Sequence, residues 1–506
     1  MSKEQIIINL YAISPLLLSA AGAIIILAVS VSNKTGGIKK RLETCESIAF
    51  TALLTAMCLS SIQIFKMIAP QKLFSSAVCF DSYSAVSAIL FSLMGIITLF
   101  ISDGDNANIG GKYKCEYYAA LLFAFIGANI MAMANDLLVA LIGIEILSVS
   151  TYIMIAFNFQ NSRGAEGGLK YFITGAAASA MYIFGLAHIY GGTKSVYLDV
   201  ITSTCTAGGP DVSYPALIIG ALFLISALLV KIAAVPFRIA IDVYDASGVS
   251  VAAFMTYFVK AAGFILIYRI FAGAFSSITI YINGALIIFS VITMSIANIA
   301  ALFQTNFKRM LAYSSVSHTA YALLAIIAIG GAKNSESVIL SGAYMLFYLT
   351  AYFFTNAAIF SSLNCISPMV PEIHTINDFT GLGFKRPYYC AAFSFALLSL
   401  AAMPSTSGFI ANFMIFYGAF AANFRAVILI AVINNFIAFY YYMKIIMKMY
   451  MQKNECVEPA PVEISSGGSD PSFCLAISTF MILFMGIYPE PFIKFFKFAV
   501  SASFSK

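Results

Sequence analysis

Three ionisable residues of this chain stand inside long apolar runs: Glu145 in LLVALIGIEILSVSTYIMIAF, Lys231 in SALLVKIAAVPF and Lys260 in TYFVKAAGF. If those runs cross a membrane, each charge at mid-depth costs about 2.5–3.5 kcal/mol on insertion scales, so it persists only when paired, hydrated or used. The carboxylate is too short to reach either surface. The amines have longer stems, and Lys231, nearer the end of its run, could snorkel more readily than Lys260. Together these groups could exchange a proton. Burial lowers the proton affinity of an amine and a neighbouring carboxylate raises it again. An amine held between those two effects can be loaded and emptied by moving one nearby charge, which is what a proton relay requires. A purely structural ion pair between Glu145 and a lysine would need the same contact.

The elements that must position these residues are transmembrane helices. Of the 506 residues 61% are hydrophobic and 10% charged, against roughly 25% charged in a soluble domain. The mean hydropathy is +0.91. The expected fold is an all-α polytopic membrane protein of about 14 spans, counted as runs of about 20 apolar residues. Residues 1–116 would form helices 1–3, 117–272 helices 4–8, 277–450 helices 9–13, and 451–506 a loop and helix 14. The first run reads as a retained helix rather than a cleaved signal.

Two spans should be broken. The run 387–424 is too long for one straight helix and carries Pro404 and Gly408, while Pro236 follows Lys231 closely. ALLVKIAAVP and ALLSLAAMP align with a one-residue gap. Matched interruptions in two halves of a transporter mark its ion site. We therefore expect two inverted repeats, helices 4–8 and 9–13, with breaks in helices 7 and 12. The Lys/Arg excess lies in the loops after odd-numbered helices, which places both termini outside.

Other chemistry is thinly supported. The nine cysteines are scattered without a C-x-x-C, and the three histidines are far apart. Neither a zinc or iron–sulfur site nor a haem site follows. No Gly-rich phosphate loop is present. The net charge of +6 is the ordinary excess of membrane loops and calls for no nucleic acid. His318, within helix 10, reads equally as a core histidine or a relay member. Lys444 and Lys448 read as anchors at the end of helix 13, and Tyr440–Tyr442 as packing and interfacial belt.

Five stretches together carry a resemblance: NDLLVALIGIEILSVSTYIMIAF, EGGLKYFITGAAASAMYIFGLAHIYGGTKS, LLVKIAAVPF followed by DVY, NFKRMLAYSSVSHTAY, and NNFIAFYYYMK. The chain resembles the antiporter-like membrane subunits of the proton-translocating NADH-quinone oxidoreductase, respiratory complex I. The pattern LKYF-x-x-GA-x-ASA-x-x-x-x-G-x-A-x-x-YG favours the subunit N branch over its sisters M and L. The resemblance implies that Glu145, Lys231 and Lys260 form a relay from the cytoplasmic side towards the bilayer centre. It also implies a non-redox subunit of a translocase in the bacterial inner membrane. Cofactors would be absent from this chain, with NADH, FMN, iron–sulfur clusters and quinone held by partner subunits. The expected partners are the sister subunit M and the small subunit K.

The chain also departs from that pattern. GFIAN places Asn412 where the family has a lysine, Arg238 stands where a histidine usually follows VPF, and AIDVYDASG replaces W-x-P-D-V-Y-E-G-A-P. Asn412, Arg238 and His318 are thus candidates for relay or water-lining positions. Two alternatives stay open: an Mrp-type cation/proton antiporter or membrane-bound hydrogenase subunit, and a structural spacer whose proton path has decayed.

Overall fold

The computed structural model describes residues 3–32, 38–66, 70–103, 113–157, 162–207, 213–234, 239–276, 278–332, 334–366, 374–451 and 469–504. The chain opens with α1 (Lys3–Ala12) and α2 (Ser14–Val31), separated at Ile13 with Pro15 in the first turn of α2. After α3 (Ile38–Lys66) comes a small antiparallel hairpin, β1 (Gln71–Leu73) and β2 (Val78–Phe80). Then follow α4 (Ser82–Asp103), α5 (Lys114–Met133), α6 (Leu137–Ala156), α7 (Ser162–Thr193), a short α8 (Leu198–Ala207), α9 (Tyr214–Lys231) and the short α10 (Ile239–Ala246). The second half runs through α11 (Val249–Ala272), α12 (Thr279–Leu302), α13 (Phe307–Gly330) and α14 (Ser335–Ile366). It closes with α15 (Pro387–Leu400), α16 (Ser407–Ala421), α17 (Arg425–Met451), α18 (Ser469–Ile487) and α19 (Glu490–Phe504).

Among the described residues twelve helices are long and apolar enough to cross a membrane. The expected broken helix 12 is the pair α15 and α16, each too short to span alone. The expected last helix continues past a sharp bend of 86° into α19. The protein is therefore an all-α multi-pass membrane protein. The hairpin is one of the elements the apolar periodicity did not announce, with the short helices α8, α10 and α19. The hairpin is short, and its turn rests on three residues with positive φ, Phe74, Ser75 and Ser76. Asn135 fastens it by donating to the Ser76 carbonyl at 2.7 Å.

The helices sort by what covers them. In α11 and α13 nearly every residue is buried within the bundle, whereas α2, α7, α12 and α17 keep broad apolar faces exposed, as surfaces in contact with lipid or with other membrane chains must. Lys260 lies on α11 and His318 on α13, Lys231 at the end of α9, and Glu145 on α6 between α5 and α7. Helix starts near the site are fixed by side chains. Asp136 caps α6 by accepting from the Leu138 amide at 2.7 Å, and Asn306 caps α13 by accepting from Arg309 at 3.1 Å. Each satisfies an amide that the helix itself leaves open.

Both expected breaks are present, and they use one backbone device. At the end of α9, Ala234 N–H donates to Leu229 O at 2.9 Å and Ala233 N–H to Val230 O at 3.1 Å. At the end of α15, Met403 N–H donates to Leu398 O and Ala402 N–H to Ser399 O, both at 3.0 Å. This is the six-to-one and paired bonding of a Schellman turn, with Ala233 (φ 61°) and Ala402 (φ 53°) in the left-handed position. Aligned on those alanines, the two segments need no gap. The one-residue gap inferred from the prolines is thereby corrected, and Leu400 stands where Lys231 does. Pro236 and Arg238 lie outside the described residues.

Candidate functional site

The site begins on one face of α6. Glu145, Ser148 and Tyr152 are spaced i, i+3 and i+7, so a single helical face presents all three. Lys231, the last residue of α9, reaches that face. Its Nζ donates to Glu145 Oε1 at 3.3 Å, to Ser148 Oγ at 3.0 Å and, more weakly, to Tyr152 Oη at 3.5 Å. Ser179 of α7 donates from the other side to the same Glu145 oxygen. Gly175, one turn before Ser179, makes room for this arrangement: a Cβ there would fall 1.7 Å from Tyr152 Oη.

Lys231 does not snorkel. Its side chain is only 12% exposed and is turned onto Glu145. The carboxylate is the more open partner, with 40% of its side chain exposed on the outer face of the isolated chain.

Lys260 occupies a different environment. It follows a single π turn, Met255–Val259, inside α11, and is 3% exposed. Its Nζ donates twice to Ser315 of α13, to the carbonyl and to the hydroxyl, the latter at 2.5 Å. Tyr352 of α14 donates to the same hydroxyl at 3.0 Å. Lys231 thus meets a carboxylate, while Lys260 meets neutral oxygen acceptors.

The broken end of α9 packs on the helix that holds Lys260's partner. Thr319 Oγ1 of α13 is 3.4 Å from the Ile232 carbonyl freed by the break and 3.1 Å from the Ser315 carbonyl. Gly263, almost one turn after Lys260, lets Ile232 pack closely, since a Cβ there would fall 2.2 Å from Ile232 Cγ2. The break satisfies its freed polar groups inside protein, as non-helical backbone at membrane depth must.

His318, one turn beyond Ser315, is buried among tyrosines. Its Nδ1 lies 2.8 Å from Tyr348 Oη and its Nε2 3.5 Å from Tyr442 Oη, which also bonds Ser314. Tyr441 donates to Asn298 Oδ1 at 3.1 Å, and Asn298 reaches Tyr321 and Asn434 at 3.1 and 3.3 Å. Hence of the Tyr440–Tyr442 run only Tyr440 faces outward, and the other two hydroxyls belong to a polar line through the interior. Asn412 on α16 is not joined to that line by a hydrogen bond. It is buried, and its Oδ1 has no partner among the described residues. Lys448 hydrogen-bonds Asn377.

The structure brings together Glu145 with Lys231, places Lys260 and His318 in two neighbouring hydrogen-bonded groups whose closest link is the 5.0 Å ring contact of His318 with Tyr352, and leaves Asn412 apart. Sequence reading missed the neutral members: Ser148, Ser179, Ser315, Thr319, Tyr348, Tyr352 and Tyr442. Their signal was present only faintly, as the polar run YSSVSHT inside an apolar helix and as the i+3 and i+7 positions after Glu145. Among the described residues no group of three or more His, Cys, Asp or Glu could hold a metal ion.

Interrupted helices around a carboxylate–amine pair and a second, buried amine define an antiporter-like membrane protein. Residues 134–438 match the family described as NADH:quinone oxidoreductase/Mrp antiporter, TM. The chain is 34% identical over 437 residues to NADH-quinone oxidoreductase subunit N of Trichlorobacter lovleyi, covering 84% of this chain and 85% of that protein. It is 33% identical over 451 residues to subunit N 1 of Solibacter usitatus, with 88% and 89% covered. It superimposes on a chain of respiratory complex I from Thermus thermophilus with bound aureothin at a TM-score of 0.77 and 25% identity, covering 97% of this chain and 100% of that one. A chain of the Mrp complex from Dietzia sp. shares the fold alone, at a TM-score of 0.82 and 18% identity over 99% and 98% of the two chains. The protein belongs to the NADH-quinone oxidoreductase subunit N family.

Proposed function

We propose that this chain is a membrane-arm subunit of an NADH-quinone oxidoreductase and that it moves protons through Glu145, Lys231 and Lys260. The observation that carries the reading is the Lys231–Glu145 contact of 3.3 Å, made by an amine that is only 12% exposed. An ion pair in such a place carries a desolvation cost that apolar residues of the same size would avoid. Its retention beside a second buried amine and a line of hydroxyls is what a relay needs. NADH oxidation and quinone reduction then take place on partner subunits, and this chain contributes translocation without a redox group of its own.

The exposed side of Glu145 supports a neighbour. A carboxylate 40% open on the outer face of α6 is poorly tolerated against acyl chains. Another membrane subunit covering it would supply polar partners and a route for charge shifts to enter. The sister subunit M and the small subunit K are the proposed neighbours, in a bacterial inner membrane with both termini outside. His318 belongs to the same interior path, and Asn412 serves at most as a water-lining position because an amide does not carry the proton. The two broken helices are proposed to sit in inverted repeats.

Replacing Lys231 by alanine tests the reading. In vesicles containing the assembled complex, protons moved per NADH oxidised should fall while the assembled amount stays near normal. An unchanged ratio with normal assembly would leave this chain a structural spacer.

A further inference from the structure

Lys260 is held by one residue in two ways, and the two ways are chemically different. The Ser315 carbonyl only accepts, so it fixes the amine in place. The Ser315 hydroxyl, 2.5 Å from Nζ, accepts from Lys260 and from Tyr352 at 3.0 Å while keeping a hydrogen of its own to give. A charged amine has no acceptor, whereas a neutral amine has one lone pair. The hydroxyl suits both states: it receives from the ammonium and, after turning about its Cβ–Oγ bond, donates to the amine.

We propose that Ser315 and Tyr352 are proton-carrying residues, the hydroxyl pair through which Lys260 is emptied and refilled. This rests on the relay reading above. In the emptying step an N–H bond of Lys260 breaks, its electron pair stays on nitrogen, and an O–H bond forms at Ser315 Oγ. Tyr352, which donates to Ser315 at rest, first turns its O–H away, and in the same step the original Ser315 O–H breaks and its proton bonds to Tyr352 Oη. The Tyr352 proton passes to a water molecule beyond it. The loading step is the reverse. His318 flanks the far side of this pair, its ring centroid 5.0 Å from that of Tyr352, and Tyr352 and Tyr348 stack in parallel at 6.3 Å. The proton thus leaves α11 across α13 towards α14, into the tyrosine-lined part of the interior rather than towards Asn412, whose amide oxygen is unpartnered.

Ser315→Ala separates holding from carrying, because it keeps the carbonyl and removes the hydroxyl. The assembled complex is reconstituted in vesicles and protons moved per NADH oxidised are measured for Ser315→Ala, Ser315→Thr, Tyr352→Phe and Lys260→Ala. Ser315→Ala and Tyr352→Phe should each lower the ratio as far as Lys260→Ala does, and Ser315→Thr, which restores a hydroxyl, should return it. A normal ratio in Ser315→Ala beside a lowered one in Lys260→Ala overturns the hydroxyl pair and leaves the relay standing. A normal ratio in Lys260→Ala overturns the relay and this step with it. If Ser315→Ala fails to assemble, Tyr352→Phe decides, and a normal ratio there refutes the proposal.

Discussion

Ala233 and Ala402 occupy the same left-handed position, at φ 61° and 53°, each closing a helix with the same pair of backbone hydrogen bonds. An L-residue with a Cβ in that conformation gives up about 1–2 kcal/mol, so both turns are held by their surroundings. At Ala233 the holding contacts include Thr319 on the next carbonyl back, Ile232. The turn ends α9 where Lys231 meets Glu145, so the strain and the ion pair share one location.

Substitution at Ala402 reads this turn directly. Ala402→Gly removes the Cβ conflict and should leave the melting temperature of the detergent-solubilised protein unchanged or slightly raised. Ala402→Val adds a β-branched side chain to a left-handed residue and should lower stability by more than about 1 kcal/mol. Equal melting of the two variants would rule out the left-handed turn.

The Glu145–Lys231 pair should behave as a coupled unit. Glu145→Met alone leaves a buried ammonium with only Ser148 and Tyr152 as acceptors. Removing one partner of a fully buried pair is worth about 3–5 kcal/mol, and replacing both by apolar groups is often near neutral; with Glu145 40% exposed the single loss here should fall below that range. A double-mutant cycle with Lys231→Met should therefore show the double variant more stable than the sum of the singles requires. Strict additivity would mean the two side chains do not interact.

A second buried pair gives a purely structural contrast. Arg269 of α11 bonds Asp81 at 2.8 Å, both nearly inaccessible, beneath the rings of Tyr83 and Phe504. Asp81 also accepts from the Ser84 amide at the start of α4, and Ser503 of α19 accepts from the Tyr83 amide. This knot ties the helix bearing Lys260 to the first helices and the last one. Arg269→Met should destabilise the protein by about 3–5 kcal/mol in thermal melts. In whatever fraction assembles, protons per NADH should stay normal, unlike in Lys260→Ala.

The hairpin carries a pH-dependent contact outside the spans. Burial raises the proton affinity of the Asp199 carboxyl, but its hydrogen bond and charge contact with Lys72, with help from Asn135 and the Val200 amide, outweigh this and hold it below the usual carboxylate range. A carboxyl whose affinity is depressed by folding stabilises the fold above its unfolded pKa of about 4. That contribution is lost as pH falls through the lower folded value. Asp199→Asn should therefore lower the melting temperature modestly at pH 7, by the equivalent of at most about 1 kcal/mol for so exposed a pair. The difference from the unaltered protein should vanish as the pH is brought below about 4. A difference that persists in acid would assign the effect to the asparagine side chain rather than to the charge.

The apolar content and its run lengths fixed the class of protein, because a backbone in lipid has no donors or acceptors but its own and must coil into helices. The same composition made Glu145, Lys231 and Lys260 conspicuous: a charge is expensive there, so its presence could be read from one sequence. The breaks at Pro236 and Pro404 were visible too, though the prolines misplaced their register by one residue. The left-handed turn sits on alanines, which nothing in a sequence distinguishes from the alanines around them.

What the tertiary structure alone decided is which oxygens face the amines. Serine, threonine and tyrosine are common in apolar helices, and their hydroxyls bond equally well to the carbonyl a turn back, as Thr151 does to Leu147. Ser315 became the holder of Lys260, and Ser148 a partner of Lys231, only when α11 packed on α13 and the end of α9 packed on α6. Helical spacing predicts which residues share a face. It carries no information about which face of which helix, more than fifty positions away, will be set against it.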